Sequence, residues 1–271
     1  MNQKKKEILA GALAAVVLIA ALILGQTGER SHYEGEFLSG SAQTAKEAGE
    51  TDEPVLSEKE LLALQELTAA LQSDRGDAVA RILDRKQETF VRIFYDALKG
   101  ERWLFDGTNF SREIEGEGLV LTLPSTVFYG EFHQGNPDGT VTALQFVNVD
   151  SPRYNYSRGL WKDGRMEGEG MTGYCYYETI PSGEHKRTEK KGRFKENRLE
   201  GEFEYKIVGG DGSISLWTMK AEQGVLVLDE KWKYLEEEKE YQLTADNQEG
   251  HAYLLSEDQA AQPIWENLIL W

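Results

Sequence analysis

Four pairs of glycines stand nine positions apart in this chain: Gly107 and Gly116, Gly130 and Gly139, Gly159 and Gly168, Gly192 and Gly201. An acidic residue precedes the second member each time, at Glu115, Asp138, Glu167 and Glu200. Two positions after the first glycine stand Phe132, Trp161 and Phe194, and five positions after it stand Gly135, Gly164 and Asn197, which tolerate a positive φ at a tight turn. The earliest copy has Asn109 and Arg112 instead, as a worn terminal repeat does. Each unit reads as a β-hairpin: a strand carrying one large aromatic, a two-residue turn such as Asp163-Gly164, and a return strand with glycine where backbones crowd. A lone hairpin cannot bury its aromatic face, so the units must associate into one sheet. The second glycines are separated by 23, 29 and 33 residues. The surplus falls between units, around Asn148 to Asn155 and Ile180 to Arg187, as surface loops.

The frame from Tyr156 to Tyr174, YSRGLWKDGRMEGEGMTGY, is similar to the MORN repeat (membrane occupation and recognition nexus), and weaker copies extend the resemblance over roughly residues 103–205. Val141 and Phe203 stand where the family has its last glycine. The resemblance implies a mainly β fold, an elongated single antiparallel sheet of stacked hairpins, and a binding or scaffolding role more often than catalysis. The phospholipid binding associated with part of the family does not carry over. With 30 Lys+Arg against 47 Asp+Glu and a net charge of -17, the chain repels anionic headgroups and nucleic acid alike.

Lys4 to Lys6 precede an uncharged apolar run from Ile8 to Gly25. Those eighteen residues span about 27 Å as a helix, enough for one membrane crossing. The expected order is a cytoplasmic N-terminus over 1–6, a transmembrane signal anchor over 7–25, and an exported remainder, by the positive-inside rule. A cleaved signal peptide is the rival reading, against which no small-x-small site closes the run. Residues 26–55 are too poor in large apolar groups to form a core and read as a flexible linker.

A helical lead-in is expected over 56–88. Ser57 and Glu60 are spaced as a capping box, Leu56 and Leu61 as a hydrophobic staple, and Leu61, Leu64, Thr68 and Leu71 repeat on one face. Its apolar face is expected to cap the open end of the sheet. Arg75-Gly76-Asp77 reads as a helix break with an N-cap rather than an adhesion tripeptide. From Thr89 the pattern is ambiguous, and the Lys99-Gly100 turn before Trp103-Leu104-Phe105 favours a hairpin that opens a β domain over 89–271. Within it Ser213 to Lys220 and Val225 to Trp232 read as strands, and Tyr241 to Leu255 as one more worn unit. The apolar tail from Pro263 to Trp271 is expected to cover the far edge of the sheet, or else to serve as a docking peptide.

Nothing in the sequence carries catalytic chemistry. His32, His133, His185 and His251 are scattered, and Cys175 is the single cysteine, so no cofactor, metal centre or nucleophile is expected. Glu167/Glu169 and Glu200/Glu202 read as solvated pairs rather than cation ligands. The candidate binding residues are aromatic: Tyr154, Tyr156, Trp161, Tyr174 and Tyr176, with 154, 156, 174 and 176 expected on one face of a hairpin. These point to a non-catalytic scaffold that binds a protein partner at the cell envelope. The alternative is a cell-wall or glycan module that uses the aromatic face.

Overall fold

The computed structural model describes residues 53–123, 125–148, 151–247 and 249–271, which belong to one unit, Glu53–Trp271. The anchor expected over 7–25 and the linker up to residue 52 lie outside the described residues. Among the described residues, no helix is long and apolar enough to cross a membrane.

The protein is mainly β. Eleven strands form one antiparallel sheet: β1 (Leu104–Phe105), β2 (Phe110–Ser111), β3 (Gly116–Leu123), β4 (Thr126–His133), β5 (Asn136–Val147), β6 (Arg153–Lys162), β7 (Arg165–Thr179), β8 (His185–Lys195), β9 (Arg198–Val208), β10 (Ile214–Glu222) and β11 (Val225–Leu226). From β3 to β11 each strand pairs with the next in sequence, and β1 and β2 extend the β3 edge. Four hairpins turn on two residues that both have positive φ: Gln134-Gly135, Asp163-Gly164, Glu196-Asn197 and Gln223-Gly224. Such turns match the twist of antiparallel strands, which explains why Gly or Asn fills their second position.

The nine-residue frame has a direct structural meaning. Gly118, Gly130, Val141, Gly159, Gly170, Gly192 and Phe203 stand opposite one another in succession, a line running across six strand boundaries. Just beyond this line the returning strand takes two extra residues. Phe132 therefore pairs with Pro137, Trp161 with Met166, and Phe194 with Leu199. The second glycine of each pair absorbs this bulge at φ +119, +111 and +84 for Gly139, Gly168 and Gly201.

The turns are also fastened to one another. The amides of Gly135, Gly164, Asn197 and Gly224 donate to the carbonyls of Ile114, Pro137, Met166 and Leu199 at 2.9 to 3.1 Å. Three of the acids in the frame accept the neighbouring turn amide: Gln134 donates to Glu115, Glu196 to Glu167 and Gln223 to Glu200, each at 2.8 Å. The acid-glycine pair is thus a joint between adjacent hairpins, and the earliest copy keeps this half of the frame at Ile114-Glu115-Gly116.

Both faces of the sheet are covered in part. On the helix face lie α1 (Glu58–Gln72), α2 (Gly76–Arg85) and α3 (Gln87–Arg92), the last continuing as a π-helical turn over Ile93–Ala97. The capping box at Ser57 and Glu60 is formed. The helices do not cap the end of the sheet; they lie on its face, where Leu64, Leu67, Val79, Leu83, Phe90 and Ile93 bury against Leu119, Leu121, Val127, Leu144 and Phe146. Residues 89–97 are helical rather than the strand of an opening hairpin. Phe90, Ile93 and Phe94 are spaced to turn one side into this core, and Lys99 and Gly100 end the helix with positive φ. Within Arg75-Gly76-Asp77 the N-cap of α2 is Arg75, and it offers no side-chain cap. Beyond β7 the helix face carries a self-neutralising register, with Glu189 opposite Lys206, Lys191 opposite Glu204 and Lys220 opposite Glu202.

The other face holds Phe128, Phe132, Val141, Trp161, Met166, Phe194, Phe203 and Trp217, all buried. Part of its cover is a separate three-stranded sheet, β12 (Trp232–Leu235), β13 (Glu240–Thr244) and β14 (Ala252–Ser256). The segment expected as a further worn repeat, Tyr241 to Leu255, forms β13 and β14 of that sheet and not an extension of the long one. The rest of the cover is the C-terminal tail, which meets the edge strand β11 as expected, where Pro263 bridges to Val225, and then crosses the face. Ile264 donates to the Gly224 carbonyl at 2.7 Å, Leu199 donates to the Glu266 carboxylate at 2.9 Å, and Thr172 donates to the Glu266 carbonyl at 2.7 Å. Ile269 donates to the Ser157 hydroxyl at 2.8 Å, and Trp271 ends edge-on to Phe128 with its centroid 4.9 Å away.

Candidate binding site

The five aromatic residues singled out in the sequence fall into three environments. Trp161 is only 3% exposed and sits edge-on to Phe128 in the core of the tail face. It supports the fold and offers no surface for a ligand to stack on. The four tyrosines do not share a face. Tyr154 pairs with Cys175, Asn155 with Tyr174, and Arg153 with Tyr176, so Tyr154 and Tyr156 face the helices while Tyr174 and Tyr176 face the tail side. The cause is the two-residue turn, which pairs Lys162 with Arg165 and so sets even-numbered positions of β6 opposite odd-numbered positions of β7.

Tyr154 and Tyr156 line a groove of about 470 Å³ where the start of α2 meets the sheet, together with Arg158, Cys175, His185 and Arg187. Asp74, in the link between α1 and α2, pairs with Arg158 and closes one side. Burial holds both tyrosine hydroxyls well above the ordinary phenol range, and burial likewise pushes the Cys175 thiol up. The groove therefore presents neutral hydroxyls and a neutral thiol, which can hold a polar ligand but provide no activated nucleophile. Among the described residues, no group of three or more His, Cys, Asp or Glu is placed to hold a metal ion.

On the tail face the arrangement differs. Trp265 is 62% exposed, the most exposed tryptophan of the sheet's cover, and its ring centroid lies 6.2 Å from that of Tyr174. Tyr174 and Tyr176 meet edge to face at 5.6 Å. The Arg153 guanidinium lies over the Tyr174 ring at 4.6 Å, and the Lys186 ammonium over the Tyr176 ring at 4.7 Å. Sequence reasoning found the two tyrosines but not Trp265, which read as part of a capping tail, nor the cations above them. The alternation of Arg153, Asn155 and Ser157 along one side of β6 was the signal available.

Beneath Trp265, the buried Lys190 ammonium donates to the Trp265 carbonyl. Desolvation lowers its pKa to about 8, against which the nearby Glu266 carboxylate pulls upward; burial raises Glu266 in turn. Between that value and the ordinary lysine range near 10.5, the unfolded chain holds a proton that the folded chain has lost, so stability rises with pH. The raised Cys175 thiol and buried tyrosines pull the other way over the same interval, so the difference between wild type and Lys190→Met isolates the lysine: we expect the melting temperature of the wild type to rise relative to that of Lys190→Met from pH 8 to pH 9.5. A difference that stays constant or falls over this interval would contradict the assignment.

No protein-family model and no curated protein matches this chain.

Proposed function

We propose that this chain is a non-catalytic, membrane-anchored scaffold of MORN-like repeats that binds a protein partner outside the membrane. The glycine, aromatic and acid-glycine frame supports the repeat reading, and the Ile8 to Gly25 run behind Lys4 to Lys6 supports a single-pass anchor with a cytoplasmic N-terminus. One observation carries the partner reading: the cluster on the tail face of exposed Trp265 and Lys186 with half-buried Tyr174, Tyr176 and Arg153. Tryptophan, tyrosine and arginine dominate the energetic centres of protein interfaces. A sugar ring stacks on a bare aromatic face, whereas the Tyr174 and Tyr176 faces are already occupied by the chain's own cations.

The test is a photo-crosslinking side chain placed at Trp265 in the full-length chain in its native membrane, with the same group at exposed Leu254 as control. A discrete protein adduct at 265 and none at 254 is the expected outcome. No adduct at 265, together with pelleting on purified cell wall that Trp265→Ala abolishes, would replace this reading with a glycan-binding one.

A further inference from the structure

The open groove of about 470 Å³ on the helix face carries charges of both signs, and they are not matched equally. Arg158 donates to the Asp74 carboxylate at 3.0 Å, and the Arg187 guanidinium lies 3.8 Å from the Glu184 carboxylate. Both guanidiniums are therefore engaged by the chain's own acids. Asp77, in the first turn of α2, and Glu189, on β8, also line the groove, and neither makes a hydrogen bond or an ion pair among the described residues. Lys206 stands opposite Glu189 in the register without pairing with it. Both carboxylates are half-buried, so they have given up part of their hydration and gained no partner in exchange. The charge left over in the groove is negative, in a chain whose net charge is -17.

Between the two acids lies an aromatic floor. Gly173 stands between Tyr156 and Glu189 in the register, and the missing side chain there lets Tyr156 lie down across β7. Its hydroxyl comes within 2.9 Å of where a Gly173 Cβ would be and donates to the Thr188 carbonyl at 3.2 Å. The Tyr154 ring follows, with its centroid 6.1 Å away. Burial dominates the raised pKa of both hydroxyls, and the Asp77 charge adds to it at Tyr154 as the Glu189 charge does at Tyr156, so each acid stands by one tyrosine. Tyr154, Tyr156, Asp77 and Glu189 all keep part of their surface in solvent, so the floor and both acids can be reached.

We infer that this groove binds a short linear diamine in its doubly protonated form, with one ammonium at Asp77, the other at Glu189 and the methylenes over Tyr154 and Tyr156. Tyr154 and Glu189 belong to strands two apart in the sheet, a separation of about 10 Å. A four- or five-carbon diamine spans that gap once a charge-assisted contact of about 3 Å is added at each end. The rings accept the aliphatic chain and the flanking positive charge on their faces. The site is on the opposite side of the sheet from Trp265 and is independent of the protein-partner reading.

The test is calorimetric titration of the full-length chain in detergent micelles with 1,4-diaminobutane, 1-aminobutane and succinate. It is run at physiological ionic strength, where exposed charges are screened beyond about 8 Å. Saturable binding of 1,4-diaminobutane is expected, at least tenfold tighter than that of 1-aminobutane. Asp77→Asn and Glu189→Gln should each remove this advantage, whereas Glu237→Gln, the same charge change at an exposed residue in the turn between β12 and β13, should leave it. Thermal melting reports whether Asp77→Asn disturbs the first turn of α2; if it does, Glu189→Gln, on a strand, decides alone. Equal affinity for the two amines overturns the inference. So does an equal loss in all three variants, which would show diffuse attraction to an acidic chain, and so does preferential binding of succinate or the absence of saturable binding. None of these outcomes bears on crosslinking at 265, which tests the partner reading separately.

Discussion

Gly159→Ala is expected to lower the melting temperature by roughly 10 °C, from about 3–5 kcal/mol of lost stability over a domain of this size. The residue holds φ +151, and a Cβ there would stand 2.5 Å from both the Glu169 carbonyl oxygen and the Gly170 Cα. Those atoms belong to the paired backbone of β7, which cannot retreat without parting from β6. Gly183→Ala is the matched control. It has φ +84 in the loop between β7 and β8 with nothing within 4 Å of a new Cβ, so only the backbone strain of about 1–2 kcal/mol applies. Equal shifts for the two variants would refute the claim that the crossing line of glycines exists to let backbones close up.

Ending the chain at Ala261 is expected to cost about 5 kcal/mol or more, and to expose dye-binding apolar surface. The removed segment contributes Ile269 and Trp271 to the tail-face core, where Trp271 meets Phe128 and Phe132 and lies under Arg102 at 4.2 Å. Loss of large core side chains costs about 2–5 kcal/mol each. Trp265→Ala, by contrast, should leave melting within about 2 °C of the parent, since exposed substitutions shift stability by about 0.5 kcal/mol or less. A truncated chain that melts like the parent would show that the tail is not part of the folded core.

These two contrasts separate what could be read from the sequence from what could not. The hairpin turns were legible because a turn with two positive φ values admits few residue types, and Gly135, Gly164 and Asn197 are among them. The glycine spacing was legible because close backbone approach leaves no room for a side chain. Helix against strand at residues 89–97 was not. The apolar side there is only Phe90, Ile93 and Phe94, too short for the period to declare itself, and the core beneath it decides. The path of the tail was likewise hidden, because hydroxyls of Ser157 and Thr172 receive it and isolated serines and threonines in strands carry no positional signal.

For the candidate site, the tyrosines expected to share one face divide between two. Four tyrosines near one turn suggested one patch, but pairing of Lys162 with Arg165 sends Tyr154 and Tyr156 to one side and Tyr174 and Tyr176 to the other. The bulge beyond Gly159 does not reverse this, since it shifts the register by two residues and a shift of two preserves the side. The turn alone was enough to tell. Trp265 could not have been grouped with Tyr174 from sequence, because they meet only through the crossing of the tail.

That crossing also sets a length. From Ile264 at the turn between β10 and β11 to Trp271 at β4, the backbone can reach about 25 Å at most. The six steps between those strands come to about 29 Å at about 4.8 Å each, so the indole of Trp271 has to make up the difference. The tail also bends on the way, at Asn267 with φ +49, so its reach is shorter than that of a fully extended segment. Repeats of this kind are readily gained and lost by duplication, and one added hairpin would widen the sheet by about 10 Å. Such a variant could stack its new turn on the old ones, but Trp271 would no longer reach Phe128. Residues 264–271 are matched to the width of the sheet they cross.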